Sequence, residues 1–460
     1  MKTTLLRTIG ALTFGLLFYD QNLGINMLLF AMVAITAVFI TQKETRTRKP
    51  FIFITSLYLL SAVFVFTVNS LLSITTCIVT FLVFVGSISG KQNSIYVQWL
   101  NGIYQSLLGA LHNKLDQKET SPSKDDKSNY GFIVLTITIV TTLVILFAGL
   151  YSQANPILNS WISKINLEFI NIGWVITTLM GYFLLMNITS RAELDVITIP
   201  DRKASIILSK KSISESASLS LHLEKRLGVI LLSALNGLII VYIITDIWYI
   251  LQDPLEDAAT LSKTVHEGVN ALITSIGVAI TTILILFRGN LNFYKKSANL
   301  RKLTYLWIAF NIIIILLIAF KNYQYSSGFG LTYKRLGVFI YLALCISGMV
   351  TTYFKIARTL NLHFMIRANA RVAFIILITM SSFSWNREIT AFNLSHVEHP
   401  DISYLLKIGE TNGDLLHAFA KAHPEKNTDP EGIKQQYKAW RFMLNDQTWQ
   451  SQTLLNVLNR

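Results

Sequence analysis

Cysteine and charge are both scarce in this chain. Its two cysteines, Cys77 and Cys345, lie within apolar runs, which disfavours a disulfide, a zinc site or a thiol nucleophile. Charged residues make up 14% of the sequence and hydrophobic residues 52%, whereas soluble globular proteins are about 25% charged. The composition therefore favours a membrane protein over a soluble one.

The apolar runs also lack proline, lysine and arginine in their interiors. All eight prolines and all 40 Lys and Arg residues lie between the runs or at their edges, which is typical of helices solvated by lipid. Several runs are shorter than the roughly 20 residues that cross a bilayer, so flanking polar residues are expected to complete those spans. The eleven predicted spans are 5–19, 23–40, 51–67, 71–89, 131–150, 168–188, 227–249, 269–287, 303–320, 336–354 and 371–385.

Basic residues are rare on one side of the predicted membrane. With the N-terminus placed inside, the inner segments contain 27 Lys and Arg and the short outer loops contain five. Positive residues concentrate in the cytoplasmic loops of membrane proteins, so this distribution supports an odd number of spans. It also accounts for the formal net charge of +14, and we predict no nucleic-acid partner.

These observations predict an all-α fold, a polytopic transmembrane helix bundle of about eleven spans with a small helical extracytoplasmic C-terminal tail. The tail has helical spacing with breaks, so about three or four short helices are expected, packed on the outer ends of the bundle. The predicted parts are the first four helices (1–90), a cytoplasmic amphipathic helix and flexible linker (91–130), a seven-helix membrane domain (131–385) and the extracytoplasmic tail (386–460).

One further helix is not expected to cross the membrane. Residues 95–115 place leucines at helical spacing on one face, with Asn101, Gln105 and Asn113 on the opposite face. This pattern predicts an amphipathic helix that lies on the inner leaflet. The alternative is packing against a partner or against the protein's own bundle.

The predicted outer loop 321–335 departs from the general charge distribution. It contains Lys321, Lys334 and Arg335, which are three of the five basic residues in short outer loops. Acidic residues are expected on the same side, which predicts an ion-paired cluster. The cluster is either a structural pairing of loops or a polar vestibule that binds an anionic ligand or lipid headgroup, because arginine suits carboxylate and phosphate groups. The acids are Asp246, Asp253, Glu256, Asp257 and Glu267.

A stripe of polar and small residues marks the eighth predicted span. Such a stripe is expected to pack closely against other helices, with Asn236, Gly237 and Asn311 as partners, or to line a solute path. Its members, spaced three or four residues apart, are Glu267, Asn270, Thr274, Gly277 and Thr281.

No motif for catalysis or cofactor binding is present. The sequence lacks a nucleotide-binding loop, a metalloprotease helix, a nucleophile elbow and a paired-cysteine metal pattern. We therefore assign no catalytic residue, no cofactor and no metal ligand.

Several short motifs lie between the apolar runs or at their starts. They are Leu23-Gly24-Ile25-Asn26, His266-Glu267-Gly268-Val269, Gly330-Leu331-Thr332-Tyr333-Lys334-Arg335, Asn386-Arg387-Glu388-Ile389, Asn393-Leu394, Asp401-Ile402-Ser403-Tyr404-Leu405 and Trp449-Gln450-Ser451. With these motifs the sequence resembles an uncharacterised family of bacterial multi-pass membrane proteins, domain of unknown function 4153/4173. The resemblance implies a fold and a membrane class, but no activity and no catalytic residue. Arg387 and Glu388 depart from the family's commoner Pro/Asp-type pair.

The motif residues and the charged loop gather on the predicted outer side. The function predicted first is non-enzymatic envelope sensing or scaffolding in the bacterial cytoplasmic (inner) membrane, with the N-terminus cytoplasmic and the C-terminus extracytoplasmic. The alternatives are a transporter or channel for a small anionic solute and a membrane enzyme that acts on a lipid-linked substrate. Expected partners are the lipid bilayer, an anionic ligand or lipid headgroup, and a membrane protein or a second copy of the chain. The candidate outer-face cluster comprises Arg335, Lys334, Thr332, Asp246, His266, Glu267, Asn270 and Asn386.

Overall fold

Within the part of the chain that the structure describes, the protein is helical. It contains one isolated β-bridge, between Ile207 and Leu360, and no strand. The predicted all-α helix bundle with a helical tail is therefore confirmed. The computed structural model describes residues 2–89, 93–120, 171–210, 215–252, 274–294, 297–445 and 447–458, together with a few single positions between 140 and 157.

Seventeen helices lie in these ranges, and we number them in chain order. They are α1 (Lys2–Phe18), α2 (Ile25–Thr41), α3 (Lys49–Thr67), α4 (Leu71–Ser89), α5 (Ile95–Thr120), α6 (Ile172–Ile188), α7 (Asp195–Lys203), α8 (Glu215–Leu251), α9 (Thr274–Leu286), α10 (Ala298–Phe329), α11 (Tyr333–Ala357), α12 (Leu362–Ser381), α13 (Trp385–His396), α14 (Ile402–Lys407), α15 (Gly413–Ala422), α16 (Pro430–Asn445) and α17 (Leu454–Leu458).

Many of these helices are suited to a bilayer. Six are long and apolar enough to cross one, namely α3, α4, α10, α11, α12 and the Leu221–Leu251 part of α8. Four shorter apolar helices, α1, α2, α6 and α9, fall below the about 20 residues that cross without help from flanking groups. The chain is therefore a multi-pass membrane protein. Most of the predicted span 131–150 lies outside the described residues, so the total of eleven stays a prediction.

The last membrane helix is longer than its apolar run. α12 begins at Leu362, where the Asn361 side chain accepts a hydrogen bond from Phe364 N, so it contains Arg367 and Arg371. The predicted boundary at 371 is wrong because the polar cap, and not the first apolar residue, sets the start of the helix.

Two hydrophobic cores hold the membrane helices together. The first core is formed by side chains of α1, α2, α3, α4, α6 and α12, and its fully buried side chains include Phe84 and Leu185. The second core is formed by side chains of α8, α9, α10 and α11, and it includes Ile315 and Met349. Contacts between α11 and α12 connect the two groups. Close packing of this kind, and not separation from water, is the main attraction between helices in lipid.

Two glycines allow α4 and α5 to approach each other closely. A methyl group on Gly86 would overlap the backbone carbonyl of Gln98, and one on Gly102 would overlap that of Leu82. Small residues at a helix crossing permit this contact between backbones. The crossing fixes which face of α5 is turned toward the protein.

The face of α5 that is turned toward the protein is its polar face. Asn101 and Gln105 are fully buried; Asn101 donates to Ser89 Oγ at 2.8 Å, and Gln105 donates to Ser190 O at 3.1 Å. The leucine face is exposed, with Leu107 at 57%. The polar side packs on the protein because it supplies donors to carbonyls at and beyond the end of α6. The predicted contact of the helix with the inner leaflet stays a prediction. Packing on the protein's own bundle, the alternative interpretation, is what the structure has.

The tail forms five short helices, α13 to α17, which is more than the three or four predicted. It packs on the end of the bundle that carries the α1–α2, α3–α4 and α10–α11 connections, and we call this end the tail side. Ile25 N, for example, donates to Gln452 O at 2.9 Å. The expected packing of the tail on the helix ends is therefore present. The tail's own core consists of Ile389, Ile402, Leu405, Leu416 and Ile433.

Candidate functional site

The connection between α10 and α11 is closed by an arginine. Gly330 has a φ of +85°, a left-handed conformation that favours glycine. Thr332 caps α11, and its Oγ1 accepts a hydrogen bond from Arg335 N at 3.3 Å. The Arg335 guanidinium donates to the carbonyls of Phe329 (2.9 Å) and Gly330, and it lies 3.7 Å from the centre of the Tyr325 ring. Arg335 thus stabilises the turn.

Among the described residues Arg335 has no carboxylate partner, and its predicted pairing with outer acids stays a prediction. The ion pair at this end joins Lys321 and Asp246, whose side chains are 14% and 10% exposed. These two meet because α8 and α10 pack along each other, whereas Arg335 Nη1 donates to carbonyls at the end of α10. The other predicted acids, Asp253, Glu256, Asp257 and Glu267, lie outside the described ranges.

Three tail side chains bind the same connection. The Asn393 amide makes two bonds with Leu331, accepting from its N–H at 2.5 Å and donating to its carbonyl at 3.0 Å. The Tyr404 hydroxyl accepts from Tyr333 N at 3.0 Å, and Asn386 Oδ1 accepts from the Tyr333 hydroxyl at 2.5 Å. The connection therefore lies between the membrane helices and the tail and is bonded to both.

Asn386 is held from the tail side as well. Its Nδ2 donates to Thr411 Oγ1 at 3.3 Å. Gly409, with a φ of +133°, leaves room for it, because a Cβ there would lie 2.5 Å from Asn386 Nδ2. Beside it, Arg387 makes two bonds to Asp414, at 2.6 and 2.8 Å. Arg387, which together with Glu388 departs from the family pattern, thus forms an ion pair with Asp414 inside the tail.

Three adjoining cavities lie between the tail and the membrane helices. The basic cavity has a volume of about 660 Å³, the junction cavity about 660 Å³ and the terminal cavity about 330 Å³. Tyr333 and Ile408 line both the basic and the junction cavity. The junction and terminal cavities share Val68, Asn69, Ser384 and Thr411. The three therefore adjoin one another, and we call them together the tail-side groove.

The basic cavity combines cations with hydroxyl groups. Of its three cations, Lys334 and Lys407 are exposed and Arg335 is half-buried. No carboxylate or imidazole occurs among its described lining residues, so the local potential favours anions. The lining residues are Tyr325, Thr332, Tyr333, Lys334, Arg335, Tyr404, Lys407 and Ile408.

The structure brings together half of the predicted outer-face cluster. Thr332, Lys334 and Arg335 line the basic cavity, and Asn386 lines the adjoining junction cavity. Asp246 is not part of either lining and contacts Lys321 instead. His266, Glu267 and Asn270 lie outside the described residues. The tail residues Tyr404 and Lys407 were not among the predicted site residues, although Tyr404 lies in the short motif that begins at Asp401.

The described part of the polar stripe lies on the exposed side of α9. Thr274, Gly277 and Thr281 of α9 are exposed, and the Thr281 hydroxyl donates to Gly277 O in its own helix at 2.8 Å. The expected partners are engaged elsewhere, since the amide of Asn236 donates to Leu303 O and that of Asn311 to Trp307 O. The opposite, aliphatic face of α9 enters the core, and the packing of the whole stripe, part of which lies outside the described residues, stays a prediction.

A second polar cluster, which sequence analysis did not predict, lies at the other end of the bundle. The Asp201 carboxylate, 4% exposed, accepts hydrogen bonds from Ser94 N at 2.7 Å and Ser94 Oγ at 2.6 Å. Arg367 Nη2 lies 3.2 Å and His363 Nε2 3.4 Å from Asp201 Oδ1. Ser94 and Arg367 come from segments 107 and 166 residues away from Asp201. No spacing in the sequence links them.

The charge of Asp201 is stabilised by this cluster. Burial is the largest influence on the pKa of Asp201 and by itself raises it, but hydrogen bonds from Ser94 and from Arg367 together lower it below the ordinary value. The cluster ties α7 and the start of α5 to α12. Asp201, Ser94 and Arg367 are hydrogen-bonded to one another, which indicates a structural role.

The helix lengths, the two membrane cores and the tail-side groove define an integral, multi-pass membrane protein. The chain belongs to the family described as a domain of unknown function, DUF4153, which matches residues 6–417. The resemblance noted from the sequence motifs is thus confirmed, and the matched range includes the whole basic cavity. No curated protein and no solved structure matches the chain significantly.

Proposed function

We propose that this protein is a non-enzymatic membrane sensor or scaffold that binds an anionic ligand in the basic cavity. The observation that carries the proposal is the lining itself, in which Lys334, Arg335 and Lys407 meet the hydroxyls of Thr332 and Tyr333 without a carboxylate among the described lining residues. Phosphate and carboxylate oxygens accept charge-assisted hydrogen bonds from such groups, and each bond contributes about 1.5–3 kcal/mol.

The location of the cavity explains how binding would be sensed. Its walls come from the α10–α11 connection, which includes Lys334, and from α14 of the tail, which includes Lys407. A ligand that contacts both parts stabilises the docked tail over the undocked one, by about 2.7 kcal/mol at a concentration 100 times its Kd. A partner protein that recognises the docked tail would then respond to the ligand.

We place the basic cavity on the extracytoplasmic face of a bacterial inner membrane. The distribution of 27 inner against five outer Lys and Arg residues supports this orientation. The bundle end opposite the tail carries several of the predicted inner cations, including Arg7, Arg48 and Arg367.

Neither alternative function has an observation in its favour. A cavity of about 480 Å³ among the membrane helices α8, α9 and α10 is lined mainly by apolar groups, with no charged residue among its described lining residues. Such a lining does not favour a path for an anionic solute. A reaction on a lipid-linked substrate needs a general acid or base, and the described lining of the basic cavity contains neither a carboxylate nor an imidazole.

The proposal is tested by titrating the full-length protein, in a non-ionic detergent, with glycerol phosphate in a calorimeter. Replacement of both Lys334→Ala and Lys407→Ala is expected to raise the Kd at least about tenfold, since two charge-assisted contacts are lost. The matched control is Lys421→Ala with Lys438→Ala, two exposed tail lysines outside the cavities. Equal affinities of the two double variants, or no binding by the unaltered protein, would contradict the proposal.

A further inference from the structure

The junction cavity differs in chemistry from the basic cavity that it adjoins. Besides polar groups at its rim, it is lined by the aliphatic and aromatic side chains of Val68, Leu71, Leu72, Trp385 and Ile408. Leu71 is 82% exposed. A leucine this exposed in a cavity offers apolar surface to a ligand or to lipid.

The junction cavity lies where the membrane helices end. Leu71 is the first residue of α4 and Tyr333 the first of α11, and Ser384 follows the end of α12. The ends of apolar helices mark the edge of the hydrocarbon, and tryptophan and tyrosine are enriched at that depth. Trp385 and Tyr333 line the cavity there. An apolar chain can therefore pass between the bilayer and this cavity.

Tyr333 separates the two cavities and belongs to both. Its hydroxyl donates to Asn386 and its N–H to Tyr404, so its position is fixed from both sides. Each cavity, at about 660 Å³, falls in the range of about 300–1,000 Å³ that small-molecule sites occupy. Cations on one side of this residue and apolar groups on the other match the two parts of an amphiphile.

We propose that the ligand is a membrane lipid with a phosphate-type headgroup, whose head binds in the basic cavity and whose hydrocarbon chain lies in the junction cavity. This inference rests on the proposed function, because the head uses the anion site described above. The further element of the inference is that the hydrocarbon chain of the lipid binds as well. It makes the site selective for lipids over free phosphate esters with the same head.

The test compares three probes on the full-length protein in one non-ionic detergent, with bound ligand measured by native mass spectrometry. Glycerol phosphate has the head alone, palmitoyl glycerol the chain alone, and palmitoyl lysophosphatidic acid both. The lysophosphatidic acid is expected to bind at least about tenfold more tightly than either partial probe, since burial of a chain adds favourable free energy for every methylene. Partition into micelles is common to all protein variants, so comparison between variants is independent of it.

Two substitutions separate the head site from the chain site. Leu71→Asn should weaken lysophosphatidic acid several-fold and leave glycerol phosphate unchanged. The control is Ile172→Asn at the first residue of α6, which is similarly exposed, at 72%, but outside the cavities. The pair Lys334→Ala and Lys407→Ala should weaken both anionic probes.

The possible results are distinguishable. Equal affinity for glycerol phosphate and lysophosphatidic acid would overturn the chain site and leave the proposed function standing. Loss of affinity in the Ile172→Asn control equal to that in Leu71→Asn would overturn it as well. If neither anionic probe binds, the proposed function fails together with the inference.

Discussion

Charged side chains near the ends of the membrane helices are satisfied in two ways. Arg335 donates to backbone carbonyls that end α10, and buried Lys355 donates to Phe287 O at 3.1 Å, just beyond the end of α9. Lys321 and Arg367, by contrast, meet carboxylates. A cation bonded to carbonyls can be removed without leaving an opposite charge behind, whereas removal of an ion-paired cation strands its partner.

The first prediction follows from this difference. Lys321→Ala leaves Asp246 largely buried and unpaired, so it should lower the free energy of unfolding by about 3 kcal/mol or more. Arg335→Ala loses hydrogen bonds to carbonyls and should cost about 1–2 kcal/mol. The measurement is unfolding by sodium dodecyl sulfate in mixed micelles. The double replacement of Lys321 and Asp246 by alanine should recover part of the lost free energy of unfolding. A greater effect of Arg335→Ala than of Lys321→Ala would contradict the assignment of Lys321 as the ion-paired cation.

A second residue-scale prediction concerns pH. The folded-state pKa of Asp201 is below its ordinary value, which is about 4, so its stabilising contribution is complete above that pH and declines as the pH falls through the folded pKa. Asp201→Asn should therefore be less stable near neutrality and should show a smaller acid-induced loss below about pH 4. Urea unfolding of the two proteins across this range measures both effects. Glu425→Gln, an exposed tail position, serves as control, and parallel pH profiles of Asp201→Asn and the unaltered protein would disprove the role.

At the scale of the element, the crossing of α4 and α5 gives the sharpest expectation. Gly86→Ala places a methyl group on the Gln98 carbonyl, and the resulting shift of the helices should destabilise the protein by about 1–3 kcal/mol. Gly237→Ala is the matched control, because Gly237 lies inside α8 with open space where the methyl group would go. It should be neutral or stabilising by up to about 1 kcal/mol. Thermal unfolding in detergent compares them, and equal behaviour of the two variants would count against the close approach.

Helix periodicity predicts which residues share a face, but not which face is inside. The apolar runs located ten of the described helices because lipid excludes prolines and charges from their interiors. For α5 the same pattern could not decide between the membrane surface and the protein's own bundle, since carbonyls beside Ser190 offered acceptors that no local rule reveals. The basic cavity was predictable in part, because Thr332 to Arg335 are contiguous. Its tail half was not, because Tyr404 reaches Tyr333 across 71 residues.

At the scale of the whole molecule, the orientation in the membrane is the central expectation. Alkaline phosphatase, which folds to its active form only outside the cytoplasm, should be active when it is fused after Arg460. Green fluorescent protein fused at the same place should stay dark. The charge distribution between loops is the physical reason. Fusions after Arg48, in the α2–α3 connection, should give the opposite result. Fluorescence from the Arg460 fusion would reverse the placement of the tail and of the basic cavity.

The contact between Ser451 and Gln21 spans 430 residues of sequence. At translation rates of about 5–20 residues per second, roughly 20–90 seconds pass between synthesis of one partner and arrival of the other. During that interval the first helical hairpin has been made, but the segment that contacts it has not yet been synthesised. Newly made chains that stop early would therefore lack the tail segment that contacts the α1–α2 hairpin.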